Sequence, residues 1–178
     1  MSDPTRAVGE IRVGWAEYYG LIEQLALNVY RSGYAFDALL CLARGGLRPG
    51  DVLSRIFSKP LGVLSVSSYR DDAGRRRGDL RIASAISAFD GDLAGRVLLV
   101  DDLADSGLTL EGVVTHLRHG YPRITELRTA VLWLKGCSEY RPDYFVRELP
   151  DSPWIHQPFE RYDSLPPAEL EQQQQKDR

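Results

Sequence analysis

No run of this chain approaches the twenty or so apolar residues that a membrane-crossing helix needs, and no charged-then-apolar leader opens it, so neither a membrane span nor secretion is expected. Basic charge is not in excess. The 22 Lys and Arg residues against 25 Asp and Glu give a formal net charge of -3, which lends no support to a nucleic-acid partner. Cysteine is scarce: Cys41 and Cys137 lie in apolar surroundings and read as reduced core thiols of a cytoplasmic protein rather than as a disulfide. Internal repeats are missing too. What is present is ordinary for a globular chain of 178 residues, with 43% hydrophobic and 26% charged. That length favours a single domain, residues 1–165, able to bury roughly 70% of its unfolded surface. The low-complexity tail, residues 166–178 with its run Gln172 to Gln175, is expected to be disordered.

The chemistry gathers in one stretch, Arg96 to Leu110. Val97 to Val100 is a continuous Val/Leu run, the pattern of a strand buried on both faces in a parallel sheet. It stops at adjacent carboxylates, Asp101 and Asp102, followed by a small polar loop, Asp105-Ser106-Gly107-Leu108-Thr109. Leu110, Val113, Val114 and Leu117 then recur at helical spacing, which predicts a helix from near Gly107 to Gly120. The free N–H groups of such a loop and helix start, with the Ser106 and Thr109 hydroxyls, form a socket for a phosphate. The acids would repel that phosphate but suit what lies beside it: vicinal hydroxyls, or a hydrated Mg2+ held by one or two carboxylates and substrate oxygens. A phosphate next to a diol is a ribose 5-phosphate. Paired acids after a strand also occur as solvated loop residues or helix caps.

The segment Val100-Asp-Asp-Leu-Ala-Asp-Ser-Gly-Leu-Thr109 resembles the phosphoribosyl diphosphate (PRPP) signature of type I phosphoribosyltransferases. Its third acid, Asp105, is similar to that of the 6-oxopurine enzymes, which use hypoxanthine, guanine or xanthine, while Leu108 stands where many relatives carry Gly. The resemblance extends over about residues 12 to 163. It implies an α/β fold with an open, mainly parallel sheet flanked by helices, and a small hood built from the N-terminal arm and residues of about 150 to 163.

Other strand ends carry matching motifs. Ala38 to Ala43 reads as a buried strand running straight into Arg44-Gly45-Gly46-Leu47-Arg48-Pro49-Gly50. The glycines let main-chain amides approach a ligand, Pro49 opens a helix, and the arginine marks either a second anion site or a tight turn with a surface side chain. In the family an R-G-G-L-x-P-G loop grips the pyrophosphate of PRPP, which implies that role for Arg44 and Gly45. Leu61 to Val66 reads as the next strand and leads to Ser68, Tyr69 and a polar segment ending at Gly78. A solvated hairpin tip, a phosphate lid and an RNA patch all fit its basic cluster. The resemblance implies a lid headed by Ser68 and Tyr69 that excludes water from the reacting centre. It also implies a PRPP-binding arginine at Arg75, with Arg76 and Arg77 as competing registers.

Thr125 to Leu134 reads as a strand finishing at Lys135, either a solvated cap or a ligand group. By resemblance Lys135 donates to the purine 6-oxo group, and adenine, which offers a second donor there, would leave that charge unpaired. Cys137 reads as packing, and His116 and His119 receive no catalytic role. Beyond a strand at Asp143 to Leu149, the segment Trp154-Ile-His-Gln-Pro-Phe-Glu160 resembles the W-I-x-Q-P-W-[DE] segment of bacterial xanthine-guanine phosphoribosyltransferases. In that segment an aromatic ring stacks on the purine and the next carbonyl meets the base edge, which implies purine-binding roles for Trp154 and Ile155. Phe159 replaces a Trp, and His156 stands where an acid is common.

The resemblance as a whole implies purine salvage: Mg2+-dependent transfer of 5-phosphoribosyl from PRPP to a 6-oxopurine, releasing pyrophosphate. In it Asp105 takes a proton, and Asp101 and Asp102 hold the ribose hydroxyls, Asp102 also ordering the metal. Arg44, Gly45, Arg75 and the loop Asp105, Ser106, Gly107, Leu108 and Thr109 hold PRPP. A homodimer or homotetramer with no nucleic-acid or membrane partner is expected. Three rivals compete: a non-catalytic PRPP- or nucleotide-sensing regulator on the same fold, a phosphoacceptor receiver domain, and a salvage enzyme for adenine or uracil. A receiver should carry its acid pair after the first strand, whereas here the pair comes late; Lys135 and Trp154-Ile155 disfavour the third.

Overall fold

The computed structural model describes residues 9–68, 80–83, 86–87 and 93–176. In chain order these form β1 (Glu10–Arg12), α1 (Trp15–Arg31), β2 (Ala38–Ala43), α2 (Leu47–Phe57), β3 (Leu61–Ser68), β4 (Leu80–Ile82) and β5 (Gly95–Val100). There follow β6 (Leu103–Ala104), α3 (Leu108–Gly120), β7 (Ile124–Lys135), β8 (Tyr144–Leu149), β9 (Trp154–His156), a 3-10 turn (Glu160–Asp163) and α4 (Pro167–Lys176). The described residues divide into two compact units, those within Leu21–Ser152 and a smaller one of those within Met1–Gly20 and Pro153–Arg178.

The larger unit is built on a sheet in the order β4-β3-β2-β5-β7, with β6 and β8 on opposite edges of β7. All pairings are parallel except β3 with β4, in keeping with the α/β architecture implied by the sequence. The central strands are unbroken apolar runs because both faces are covered. On one face Leu40, Leu42, Val97 and Leu99 meet the Leu110, Val113, Val114 and Leu117 stripe of α3. On the other, α2 approaches β2 so closely that a β-carbon on Gly50 would lie 2.6 Å from Cys41 Cβ. Removing these apolar side chains from water is the main stabilising term, about 1.5–3 kcal/mol for each large one fully buried.

In the smaller unit β1 and β9 pair in parallel, Ile11 opposite Ile155, and the Val13 N–H extends the ladder to the His156 carbonyl at 3.0 Å. Tyr18 packs edge-on against Phe159 with ring centroids 5.7 Å apart. The tail departs from expectation. Instead of a disordered segment from 166, residues Pro167–Lys176 form a helix whose side chains are almost all exposed. Proline at its first position, followed by Glu, Leu and Gln, all good helix formers, supplies local propensity that low complexity had masked. Among the described residues no helix is long and apolar enough to cross a membrane.

Candidate functional site

Parallel neighbours end at the same edge of a sheet. Because β2 pairs with β5 and β5 with β7, the loop after Ala43 and the acids after Val100 come out side by side at one edge, beyond which β7 runs on along β6 to Lys135. The Ala43–Arg44 peptide bond is cis. Gly46, the N-cap of α2, fits so tightly that a β-carbon would lie 2.5 Å from the Val100 carbonyl oxygen and 2.8 Å from that of Leu42. At Gly45 a β-carbon would run into the carboxylate of Asp102. The Arg44-Gly45 loop therefore lies directly against the acid pair, and Arg44 is exposed.

Asp101 and Asp102 occupy a break in a ladder. Val100 pairs with Ala130 of β7, and the same edge of β7 resumes pairing at Trp133 with Leu103 of β6. Between these points the Asp101 N–H donates to the Ala130 carbonyl at 3.0 Å, and the N–H groups of Leu132 and Trp133 reach the Asp102 carbonyl at 2.9 and 3.2 Å. The main chain is pinned while the carboxyl groups stand out of it. Burial, and then the charge of Asp102, push the Asp101 carboxyl well above the ordinary carboxylate range; N–H groups of Asp102 and Gly46 oppose that shift in part. The Asp102 N–H donates to Asp101 Oδ1 at 2.9 Å. The strand-like pair Leu103–Ala104 between acids and loop had no signal in the sequence, being only two residues long.

The polar loop then turns into α3. Gly107 takes φ +82°, a left-handed conformation, and caps the helix with no side-chain hydrogen bond at that end. The Leu108 N–H points at Ser106 Oγ from 3.5 Å, and a small cleft opens among Asp101, Asp105, Ser106, Gly107, Thr109 and Leu110. The first-turn amides of a helix lack intrahelical acceptors and lie at its positive end, so this cleft can receive an anion.

Lys135 is no solvated cap. Its side chain is only 7% exposed, and its Nζ lies 3.1 Å from Oδ1 of Asp105, which is 46% exposed. Cys137, read from the sequence as packing in a core, is exposed instead. It follows the end of β7 in a turn whose thiol lies 3.5 Å from the Asp105 carbonyl oxygen and 3.9 Å from Oδ1. Cys41 is buried within β2 as expected, and burial pushes its thiol up to about 11.

The remaining candidates fall elsewhere. Ser68 ends β3, whereas Tyr69 and Arg75 lie outside the described residues. Trp154, 53% exposed, and the buried Ile155 belong to β9 in the smaller unit. Among the described residues no group of three or more His, Cys, Asp or Glu side chains could hold a metal ion. The hard oxygens of Asp102 and Asp101 nevertheless fit Mg2+, which is commonly bound through one or two carboxylates with substrate oxygens completing its shell.

A family model described as "Phosphoribosyl transferase domain" matches residues 14–164. A xanthine-guanine phosphoribosyltransferase of Idiomarina loihiensis is 28% identical over 155 residues, covering 86% of this chain and 88% of that protein. Among solved structures, a purine phosphoribosyltransferase from Pyrococcus horikoshii is 32% identical with a TM-score of 0.70, covering 84% of this chain and 93% of the other. The xanthine-guanine-hypoxanthine phosphoribosyltransferase of Helicobacter pylori is 26% identical with a TM-score of 0.71, covering 86% and 95%.

Proposed function

Since the chain belongs to the phosphoribosyl transferase domain family, we propose that it is a purine-salvage enzyme that transfers 5-phosphoribosyl from PRPP to guanine, xanthine or hypoxanthine. The observation that carries this is the buried Lys135 ammonium set 3.1 Å from the Asp105 carboxylate. On a 6-oxopurine the carbonyl O6 and ring N7 are neighbours on one edge. A donor beside an acceptor matches that edge, and an adenine amino group would face the ammonium donor to donor.

In the reaction the bond from C1′ to pyrophosphate oxygen breaks while C1′ bonds to a purine ring nitrogen, through an oxocarbenium-like ribosyl cation. Asp105 accepts the proton that N7 loses, and Lys135 holds O6. Amides of the Ser106 to Thr109 loop bind the 5-phosphate, the Asp101 and Asp102 carboxyls hold the ribose hydroxyls, and Arg44 with the Gly45 amide receives the pyrophosphate. Asp102 would hold Mg2+, which would supply countercharge for the leaving group. Trp154 and Ile155 keep the purine-binding roles that the resemblance implies. The roles that the resemblance implies for Ser68, Tyr69 and Arg75 belong to the same proposal, Tyr69 and Arg75 lying outside the described residues.

The test is a panel of guanine, xanthine, hypoxanthine, adenine and uracil with PRPP and Mg2+, following nucleotide formation. Turnover of at least one 6-oxopurine with adenine and uracil inert is expected. Use of adenine alone overturns the base assignment, and tight PRPP binding without turnover of any base points to a sensor.

A further inference from the structure

We propose that Cys137 is a positioning residue for Asp105, an inference that rests on Asp105 acting as the proton acceptor. The Cys137 S–H donates to the Asp105 carbonyl oxygen at 3.5 Å and stands 3.9 Å from Oδ1 of the same residue. It is exposed and so is not part of the buried core.

Asp105 needs such a tie. It sits in a loop, its side chain is 46% exposed, and its carboxylate is paired with the Lys135 ammonium, a point charge about which the carboxyl group can pivot. A base that must meet N7 while its neighbour meets O6 tolerates little pivoting, because small misplacements of a catalytic group cost rate steeply. The thiol ties the Asp105 main chain at its carbonyl oxygen and lies 3.9 Å from the same Oδ1 that the ammonium holds.

Cys137 is itself anchored well enough to act this way. The Cys137 N–H donates to Ser152 Oγ at 3.1 Å, the Gly136 N–H to the Leu149 carbonyl at 2.9 Å, and the Ser138 N–H to the Lys135 carbonyl at 3.0 Å. The turn is also clamped to the phosphate loop. The Glu139 N–H donates to the Ser106 carbonyl at 2.9 Å, and Gly107 packs so closely that a β-carbon there would lie 2.5 Å from the Tyr140 nitrogen. One turn thus carries Lys135 at its start, holds the Asp105 loop along its length and sets the thiol against Asp105.

The experiment compares wild type, Cys137→Ala, Cys137→Ser and Asp105→Asn by steady-state kinetics and thermal unfolding. Because a thiol is a weak donor, Cys137→Ala should lower kcat about three- to tenfold, with KM for PRPP and Tm unchanged. Serine keeps a hydroxyl donor and should restore kcat to within about twofold of wild type. Unchanged kcat in Cys137→Ala overturns the proposal, as does a Ser variant no better than Ala, or a loss of kcat accompanied by an equal change in KM or a fall in Tm. The Asp105→Asn arm separates the two levels. If it remains fully active the catalytic role of Asp105 fails, whereas an inactive Asp105→Asn beside a normal Cys137→Ala removes only the role of Cys137.

Discussion

Gly45 lies against the carboxylate of Asp102: a β-carbon at Gly45 would sit 2.6 Å from Asp102 Cγ, on a side chain that can move. At the next residue the obstruction is different, since a β-carbon on Gly46 would meet the carbonyl oxygens of Val100 and Leu42, both main chain. Gly45→Ala should therefore push the Asp102 carboxylate out of place and weaken PRPP binding by about five- to hundredfold, as expected for about 1–3 kcal/mol of overpacking. Gly46→Ala should lower Tm instead, by several degrees at about 2–4 °C per kcal/mol. Isothermal titration with PRPP and a thermal melt of each variant check the contrast; an effect of Gly45→Ala on Tm alone would contradict it.

Asp105→Asn preserves shape but cannot accept a proton. A general base of this kind contributes about 10^2 to 10^4-fold, and kcat should fall by that order while PRPP affinity stays within about twofold. Single-turnover kinetics with saturating PRPP measure the chemical step directly. Undiminished turnover takes Asp105 out of the mechanism.

Lys135→Met keeps the length and apolar stem of the side chain and removes the ammonium. Hydrogen bonds from charged donors are worth about 1.5–3 kcal/mol, so KM for the 6-oxopurine should rise about ten- to hundredfold with PRPP affinity intact. Stability should change little, because a buried ion pair replaced on one side by an apolar chain leaves behind only the half-exposed Asp105 carboxylate. Base-saturation curves decide the matter: an unchanged KM would mean that Lys135 does not meet the base.

Asp101 links function to pH-dependent stability. Burial and the Asp102 charge raise its carboxyl above the ordinary value of 3.8. A raised folded-state value means the folded protein binds more protons than the unfolded chain, so stability falls as pH rises from about 3.8 and the penalty is complete above the folded value. Asp101→Asn removes that penalty. Thermal melts from pH 3 to 8 should show the variant more stable than wild type at neutral pH, the difference shrinking towards the acid end, together with weaker PRPP binding. A variant less stable than wild type at pH 7 would contradict this origin of the shift.

The strand ends could be read from the sequence because the strands that carry them are buried on both faces. Leu39 to Leu42, Val97 to Val100 and Ala130 to Leu134 are apolar without interruption, so the first polar residue after each marks the sheet edge where Arg44, Asp101 and Lys135 emerge. Some shorter elements left no trace. The β1–β9 pair brings together two three-residue strands from opposite ends of the chain, too short for any periodicity. Cys137 looked like packing because Leu132 to Leu134 precede it, but the strand ends at Lys135 and the chain turns outward. The ion pair between Lys135 and Asp105 joins the end of β7 to the loop after β6 through a sheet register that only tertiary pairing sets.

The most direct measurement is a crystal structure of the protein with PRPP and Mg2+. The 5-phosphate should lie on the amides of the Ser106 to Thr109 loop, the ribose hydroxyls against Asp101 and Asp102, and the pyrophosphate on Arg44 and the Gly45 amide. PRPP bound at any other place, or a phosphate loop left empty at saturating PRPP, would contradict the assignment of this sheet edge as the site of phosphoribosyl transfer.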